Sequence, residues 1–363
     1  MASDLGISEG TAGQAVTATS VFAVVTSLLI AFLTRNLNRR TVLLSLSFLL
    51  SVSSIIVAFA PNFGVLLLGR IILGVSLGGF WSMSTAITIR LVSDKDVPKA
   101  LALIFGGSSF ASVLAAPLGS YLGNIIGWRD VFLFAAAVGL LAFAWQFFAL
   151  PSLKPVGITR LRTTIDVMKV PRFSVGLLAI MLVFCGRFAS FTYLRPFLEQ
   201  TTRLNINWVS TVLLAFGLAY FVGNWFAPGM IKRNLRQALY APAIALAVTC
   251  IGLVFFGTSL VATLVLVFLL GAFFAPVAPA WSTWVARTVP EQAETGGGLY
   301  VAAVQFSAAV GALVGGFVFD FSGSAGGFIM SGLSWALSAL LVYQKISAPA
   351  RSPERTTQIV TAH

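Results

Sequence analysis

The chain has 363 residues, of which 58% are hydrophobic and 9% are charged. A soluble globular domain is about a quarter charged, so the composition excludes that class. The net charge of +12 does not indicate nucleic-acid binding, because the basic residues are spread over short loops and form no long block. The two cysteines, Cys185 and Cys250, lie within apolar stretches and do not suggest a disulfide framework.

Apolar stretches separated by short polar loops make up almost the whole chain. Most of them reach the roughly 20 residues that a helix needs to cross a bilayer. We therefore predict an all-α membrane protein with eleven transmembrane helices, at residues 12–34, 41–60, 64–89, 100–121, 131–150, 173–194, 208–231, 238–257, 259–285, 296–319 and 325–344.

Lysine and arginine fall almost entirely on alternate loops between these stretches. Of the 23 basic residues, 18 lie on one set of loops and in the C-terminal tail. Because an excess of Lys and Arg marks the cytoplasmic side, we predict a cytoplasmic C-terminus and an N-terminus outside. Residues 1–13 contain no signal that would export them, so we interpret the chain as a twelve-helix protein whose first helix precedes Met1. The eleven stretches then become helices 2–12.

A long polar break at residues 151–172 divides the chain. We predict an N-terminal half over residues 1–150 with helices 2–6, a cytoplasmic central loop over 151–172, a C-terminal half over 173–345 with helices 7–12, and a cytoplasmic tail over 346–363. Parallel halves of this kind are one of the repeat layouts of secondary transporters.

Small residues recur at four-residue spacing in helices 4, 5 and 11. Gly74 and Gly78 lie on the first of these stripes, Gly119 on the second, and Gly311 and Gly315 on the third. Such stripes let two helix backbones approach closely. Their recurrence at corresponding places in the two halves favours a transporter built from repeats.

These motifs resemble those of the major facilitator superfamily, and in particular its drug/solute:proton antiporter branch. Arg70, Gly74 and Gly78 match the fourth-helix motif of an arginine followed by glycines, and Pro117 and Gly119 match the antiporter motif of the fifth helix. The resemblance implies a major facilitator fold of two six-helix halves, here without helix 1. It also implies a multi-pass protein of the bacterial cytoplasmic (inner) membrane.

Further segments look like the purine ribonucleoside efflux transporters of bacteria. They are Asp4-Leu5-Gly6-Ile7-Ser8-Glu9-Gly10, Phe191-Thr192-Tyr193-Leu194-Arg195-Pro196 and Ala280-Trp281-Ser282-Thr283-Trp284. The related arabinose and sugar efflux proteins share much of this framework.

The loop between helices 2 and 3 departs from the superfamily pattern. Ala31, Arg35 and Asn38 stand where a glycine, an aspartate and a glycine are expected, and only the closing Arg39 and Arg40 agree. The resemblance places a cytoplasmic gate at Arg39 and Arg40, but the usual charge lock of that gate is absent from the loop.

The resemblance implies that helices 1, 4, 7 and 10 line a central cavity. Aromatic faces would stack on a purine base, and hydroxyl and amide groups would bind its edge and the ribose. We expect the substrate-binding residues to be Trp81, Ser82, Arg187, Tyr193, Asn224, Trp281 and Gln305. For helix 10 we also predict a bend at Pro276 and Pro279.

No acidic residue lies at the centre of an apolar stretch, and the single histidine is His363. A proton-coupled transporter needs a titratable group within the membrane, so the resemblance implies that the proton carrier lies in the missing helix. In this chain the resemblance assigns proton-coupling or structural roles to Arg70, Gly74, Gly78, Pro117 and Gly119.

The sequence thus predicts a monomeric secondary transporter in a lipid bilayer, exporting a small polar solute by proton antiport with alternating access. The expected solute is a purine ribonucleoside of the inosine or guanosine type. An arabinose-like sugar or a drug is the alternative, and a non-transporting remnant that lacks helix 1 is the alternative of another class. An enzyme is not expected, because the G-x-S-x-G string at 74–78 lies within a membrane helix. Neither a cofactor nor a metal is expected.

Overall fold

The computed structural model describes residues 9–93, 95–155 and 161–346, and in these residues the regular structure is helical, without β-strands. An all-α fold suits a bilayer, because a helix satisfies its own backbone hydrogen bonds where no water is available. The helices are α1 (Glu9–Leu33), α2 (Arg39–Ala58), α3 (Phe63–Leu91), α4 (Val97–Ile125), α5 (Trp128–Ala149), α6 (Leu161–Met168), α7 (Pro171–Thr192), α8 (Leu194–Gln200), α9 (Ile206–Arg233), α10 (Leu235–Phe256), α11 (Leu260–Phe274), α12 (Val277–Thr288) and α13 (Ala293–Lys345).

Many large apolar side chains on these helices face outward. Phe148 is 86% exposed, Phe321 88% and Trp225 79%, which in water would be an aggregation hazard. In the described residues, nine helical segments are long and apolar enough to cross a membrane, and 17–33 and 97–108 form shorter apolar helices. The exposed side chains therefore mark surfaces suited to lipid.

The predicted helix 10 corresponds to α11 and α12, and the bend predicted in it is present as a break between these two helices. The chain leaves α11 at Ala275, and Pro276 is the N-cap of α12. Proline has no N–H to donate and its ring crowds the preceding turn, so the span of residues 260–288 is built from two shorter helices. The break falls at Pro276, as predicted, whereas Pro279 lies within α12.

Two elements differ from the predicted stretches. Residues 161–168, which the polar pattern predicts to be part of a loop, form the short helix α6, whose Val167 is fully buried. The last two predicted helices run together as α13, which is interrupted at Gly323, where φ is +68°. A left-handed φ costs glycine little, so this position bends the chain without a loop.

The chain forms two compact units. Unit 1 contains residues 1–87, 114–167 and 291–305, and unit 2 contains residues 88–113, 168–290 and 306–363. Of the four boundaries outside the central loop, three fall within the long helices α3, α4 and α13, and the fourth lies between α12 and α13. The division into halves at residues 151–172 stays a prediction.

The glycine stripe of α3 packs against α1 in unit 1, as its spacing predicts. A Cβ atom built on Gly74 would lie 2.4 Å from the Thr19 carbonyl oxygen, and one on Gly78 would lie 2.2 Å from that of Ala23. The Thr19 hydroxyl also donates a hydrogen bond to the Arg70 carbonyl oxygen, at 3.1 Å. The two backbones are therefore in direct contact, and no side chain larger than hydrogen fits at either glycine.

Substituting Gly78 tests this contact. Gly78→Ala should destabilise the protein by about 1–3 kcal/mol, because the new methyl group overlaps a backbone atom. Gly107→Ala is the matched control: nothing lies within 4 Å of its built Cβ, so it should be neutral or gain up to about 1 kcal/mol from helix propensity. The melting temperatures of the purified proteins in detergent would measure the difference. Equal values for the two variants would contradict the packing.

Candidate functional site

Arg39 and Glu294 form a buried ion pair in unit 1. Arg39 Nε donates to Glu294 Oε1 at 2.6 Å and Nη2 donates to Oε2 at 2.5 Å. The two side chains are 1% and 13% exposed. A paired fork of this geometry is among the strongest ionic contacts in proteins. It joins the start of α2 to the start of α13.

The remaining donors of Arg39 are also used. Nη1 donates to the carbonyl oxygens of Thr34 at 2.6 Å and Leu37 at 3.2 Å. A buried guanidinium needs such partners, because an unpaired charge or donor in a low-dielectric site is costly. The loop that precedes α2 therefore cradles the arginine.

Asn38 explains how this loop is held although it lacks the usual glycine. Its Oδ1 accepts from the Arg40 N–H and from the Leu153 N–H, both at 3.0 Å, and its Nδ2 donates to Ser152 Oγ at 2.6 Å. The Arg39 N–H also donates to the Leu153 carbonyl oxygen at 2.8 Å. Asn38 thus caps α2 and ties the loop to the beginning of the central segment.

Arg40, the second arginine predicted for the gate, has a different environment. Its Nη2 donates to the Phe147 carbonyl oxygen at 2.6 Å, and its guanidinium carbon lies 5.2 Å from the centre of the Phe147 ring. The side chain therefore joins α2 to the end of α5 and takes no part in the ion pair with Glu294. The two predicted gate arginines are adjacent in sequence but serve different contacts.

Sequence reasoning missed Glu294. It lies in the first turn of α13, 255 residues after its partner, and it was seen only as one of several acids outside the apolar stretches. The usable signal was an acidic residue at the entry to helix 11 of a chain whose gate loop lacks the expected aspartate.

Gln305 carries an amide that no described residue binds. The side chain is half-buried in α13, and no hydrogen bond joins it to any described residue. Within the described residues, this amide keeps its hydrogen-bonding groups available to a polar solute.

Trp81 and Ser82 lie on α3, in the part of this helix that belongs to unit 1. Trp81 is half-buried and makes an edge-to-face contact with Phe80, with ring centres 5.9 Å apart. Ser82 is fully buried, and its hydroxyl donates to the Gly79 carbonyl oxygen of its own helix at 3.0 Å. A Cβ built on Gly297 would lie 2.2 Å from the Ser82 carbonyl oxygen, so α13 packs on the backbone at this point.

Arg70, also in unit 1, has no carboxylate within 4.0 Å among the described residues. Its guanidinium carbon lies 5.2 Å from the centre of the Phe132 ring, and its Nε is buried without a hydrogen bond. Phe132 lies in the second turn of α5, so this contact joins α3 to α5.

Arg187, in unit 2, lies among three phenylalanine rings. Its guanidinium carbon is 4.3 Å from the ring centre of Phe191, 5.1 Å from that of Phe216 and 5.0 Å from that of Phe274. The rings come from α7, α9 and α11. In the described part of the chain no carboxylate lies within 4.0 Å of it, so cation–π contacts compensate its charge.

Asn224 binds within unit 2 instead of carrying a free amide. Its Nδ2 donates to the Ala102 carbonyl oxygen of α4 at 2.5 Å, and the side chain is 5% exposed. A Cβ built on Gly106, one turn along α4, would lie 2.7 Å from Nδ2. In this conformation Asn224 holds α9 against α4.

Two tryptophans of α12 are enclosed in unit 2. Trp281 has no exposed surface, and its ring meets that of Trp284 edge to face at 5.5 Å. The ring of Trp284 stacks on that of Phe173, with ring centres 6.0 Å apart. It also contacts Gly176, where a Cβ atom would overlap the Trp284 ring. Tyr193 is half-buried and stacks on Phe319 at 5.1 Å.

Pro117 and Gly119 are part of α4, but their side-chain environments lie outside the described residues. Residues 1–8 and 347–363 also lie outside the described residues. They contain most of the segment 4–10, quoted for the efflux resemblance, and most of the predicted tail at 346–363. The structure therefore adds nothing to the predictions made there.

Comparison with known proteins decides the family. The model of the Major Facilitator Superfamily matches residues 1–300 and residues 176–361. The chain belongs to the major facilitator superfamily. It is a multi-pass protein of the bacterial inner membrane and a transporter, not an enzyme.

Two similar curated relatives are the purine ribonucleoside efflux pumps NepI of Salmonella enteritidis PT4 (strain P125109) and of Escherichia coli (strain K12). Each is 41% identical to this chain over 346 residues, which cover 95% of this chain and 87% of the relative. This similarity extends over the gate loop, the aromatic segments and α13.

Solved structures share the fold. The transporter FucP in its outward conformation superposes with a TM-score of 0.79 at 15% identity, covering 93% of this chain and 90% of FucP. The human organic anion transporter MFSD10 superposes with a TM-score of 0.75 at 22% identity, covering 90% of this chain and 82% of MFSD10. The predicted major facilitator fold is confirmed.

The Arg39–Glu294 pair can be tested by removing one partner. Glu294→Ala should destabilise the protein by roughly 3–5 kcal/mol, because it leaves a buried arginine without its counter-charge. Exchanging the charges, with Arg39→Glu and Glu294→Arg together, should recover part of the loss. Thermal unfolding in detergent measures both.

An exposed pair supplies the control. Arg195 and Glu199 lie 2.8 Å apart, with side chains 61% and 44% exposed, so Glu199→Ala should cost no more than about 1 kcal/mol. A Glu294→Ala variant as stable as Glu199→Ala would show that the buried pair contributes little.

Proposed function

We propose that this protein exports a purine ribonucleoside of the inosine or guanosine type by proton antiport, through alternating access. The observation that carries the proposal is the 41% identity, over 95% of the chain, to proteins named purine ribonucleoside efflux pumps. The similarity to FucP and MFSD10 supports the fold alone, since those chains are 15% and 22% identical.

The chemistry of the site residues agrees with a flat polar solute. Gln305 offers an amide that no described residue binds. Purine edges present hydrogen-bond acceptors and donors, and their faces stack on aromatic rings. We infer that Gln305 makes a direct polar contact with the solute and that Trp81, also in unit 1, borders it; Arg187 and Tyr193 are the binding residues that we expect from unit 2.

The other expected binding residues play a supporting part in this proposal. The Ser82 hydroxyl and the Asn224 amide already bond to backbone carbonyl oxygens, and Trp281 is enclosed. These groups hold the helices that carry the binding residues. Any contact of theirs with solute requires a different arrangement of the helices.

Proton antiport supplies the energy for export in this proposal. Net export against a gradient requires a second, downhill flux, and the alternating-access cycle couples the two. We infer that the Arg39–Glu294 pair closes the cytoplasmic entrance in the conformation described here and separates when the entrance opens. Separation is tolerable there because water reaches an open entrance and hydrates both charges.

The proposal is tested in inverted vesicles containing the purified protein. An imposed gradient that is acidic inside should drive uptake of radiolabelled inosine into the lumen, and a protonophore should abolish that uptake. Excess guanosine should compete, whereas excess arabinose should not. Uptake that ignores the proton gradient would refute antiport by these 363 residues, which is the result expected if the proton carrier lies in the missing helix. Competition by arabinose alone would assign the protein to sugar efflux.

Gln305→Leu tests the site within the same assay. Loss of one hydrogen bond to the solute should raise KM for inosine by roughly tenfold, with the protein still inserted and folded. Gln146→Leu is the matched control: its Oε1 accepts from Ser47 Oγ at 2.8 Å inside unit 1, so its loss should lower stability but leave KM nearly unchanged. An unchanged KM in Gln305→Leu would remove Gln305 from the site.

A further inference from the structure

A cavity of about 410 Å³ lies where α9 turns into α10, in unit 2. It is lined by Gly229, Met230, Arg233, Gln237 and Ala241. The turn is tight, since the Asn234 N–H donates to the Met230 carbonyl oxygen and its side chain accepts from the Gln237 N–H at 3.1 Å. This turn brings the polar side chains of Arg233 and Gln237 to one rim of the cavity.

Arg233 contributes positive charge to this rim. Lys232, beside Arg233, lies 3.9 Å from the Asp96 carboxylate. Arg233 itself has no carboxylate within 4.0 Å among the described residues, and its side chain is exposed. Its guanidinium is therefore free to bind an anion such as a phosphate group.

Apolar surface continues from the cavity along both helices. On α9, Phe226 and Val222 precede Arg233 by seven and eleven residues and are 71% and 49% exposed. On α10, Ile244 and Val248 follow Gln237 by seven and eleven residues and are 48% and 62% exposed. These spacings place them on the faces that carry Arg233 and Gln237. The cavity, with two polar residues in its lining, therefore lies beside exposed apolar surface on both helices.

We propose that this cavity binds the headgroup of an anionic phospholipid, with Arg233 on the phosphate, Gln237 on a neighbouring headgroup oxygen and the acyl chains along α9 and α10. A free phosphate or a soluble anion would use the same cation but would leave the apolar stripe without a role. Basic pockets between membrane helices on the cytoplasmic side suit anionic lipids. The proposal does not depend on which solute is transported.

Two variants separate charge from shape. Arg233→Gln removes the charge, and Gly229→Leu fills the cavity while keeping Arg233, because nothing lies within 4 Å of a Cβ built on Gly229. The control is Arg172→Gln, an exposed arginine at the start of α7. Size-exclusion profiles and melting temperatures would establish that all three variants are folded.

Native mass spectrometry of the detergent-purified protein provides the readout. The protein is mixed with equal amounts of phosphatidylglycerol and phosphatidylethanolamine, and the bound fractions are compared. The wild type and Arg172→Gln should retain phosphatidylglycerol preferentially. Arg233→Gln and Gly229→Leu should each reduce that retention, by roughly fivefold for the lost charge.

Three outcomes would overturn the proposal. They are equal retention of the two lipids by the wild type, full retention of phosphatidylglycerol by both pocket variants, and displacement of the lipid by millimolar inorganic phosphate. The last result would show that the cavity binds a free anion.

Discussion

The hydrocarbon layer offers no hydrogen-bond partners, and most of this structure follows from that constraint. Backbone groups are satisfied within helices, and each polar side chain inside the membrane needs a partner in the protein or in the solute. Ser47 and Gln146 satisfy one another, and Asn224 uses a carbonyl oxygen of α4. A polar group that lacks a protein partner is therefore informative, which is why Gln305 carries more weight than the serines around it.

The same reasoning separates the two buried arginines. Arg187 is surrounded by three rings from three helices, whereas Arg70 meets one ring and keeps a buried Nε without a hydrogen bond. An aromatic cage compensates charge but makes no directional bond. The charge of Arg187 is therefore offset by more ring contacts than that of Arg70.

Local patterns in the sequence predicted the features that depend on local chemistry. Pro276 breaks its span because proline cannot donate, and Gly74 and Gly78 pack on α1 because only glycine lets backbones touch. Contacts between distant parts of the chain could not be predicted in the same way. Arg39 was assigned to the gate, but its partner Glu294 is 255 residues away and lies outside every family motif used. For Asn224, the sequence showed a lone amide but not the Ala102 carbonyl oxygen that accepts from it.

The contacts of α13 in unit 1 combine two kinds of interaction with different consequences for a moving helix. Gly297 and Gly298 pack on the backbone at Ser82 and Ser27, where built Cβ atoms would lie 2.2 and 2.1 Å from carbonyl oxygens. Close contact of this kind fixes the fit of α13 and is lost over a short separation, because a gap of about 0.5–1 Å already forfeits a quarter to a half of the dispersion attraction. The Arg39–Glu294 pair, one turn away, is directional and acts over a longer distance, and water that enters between the two charges weakens it. Packing thus defines where α13 rests and the ion pair holds it there; in the proposed alternating-access cycle both would have to separate.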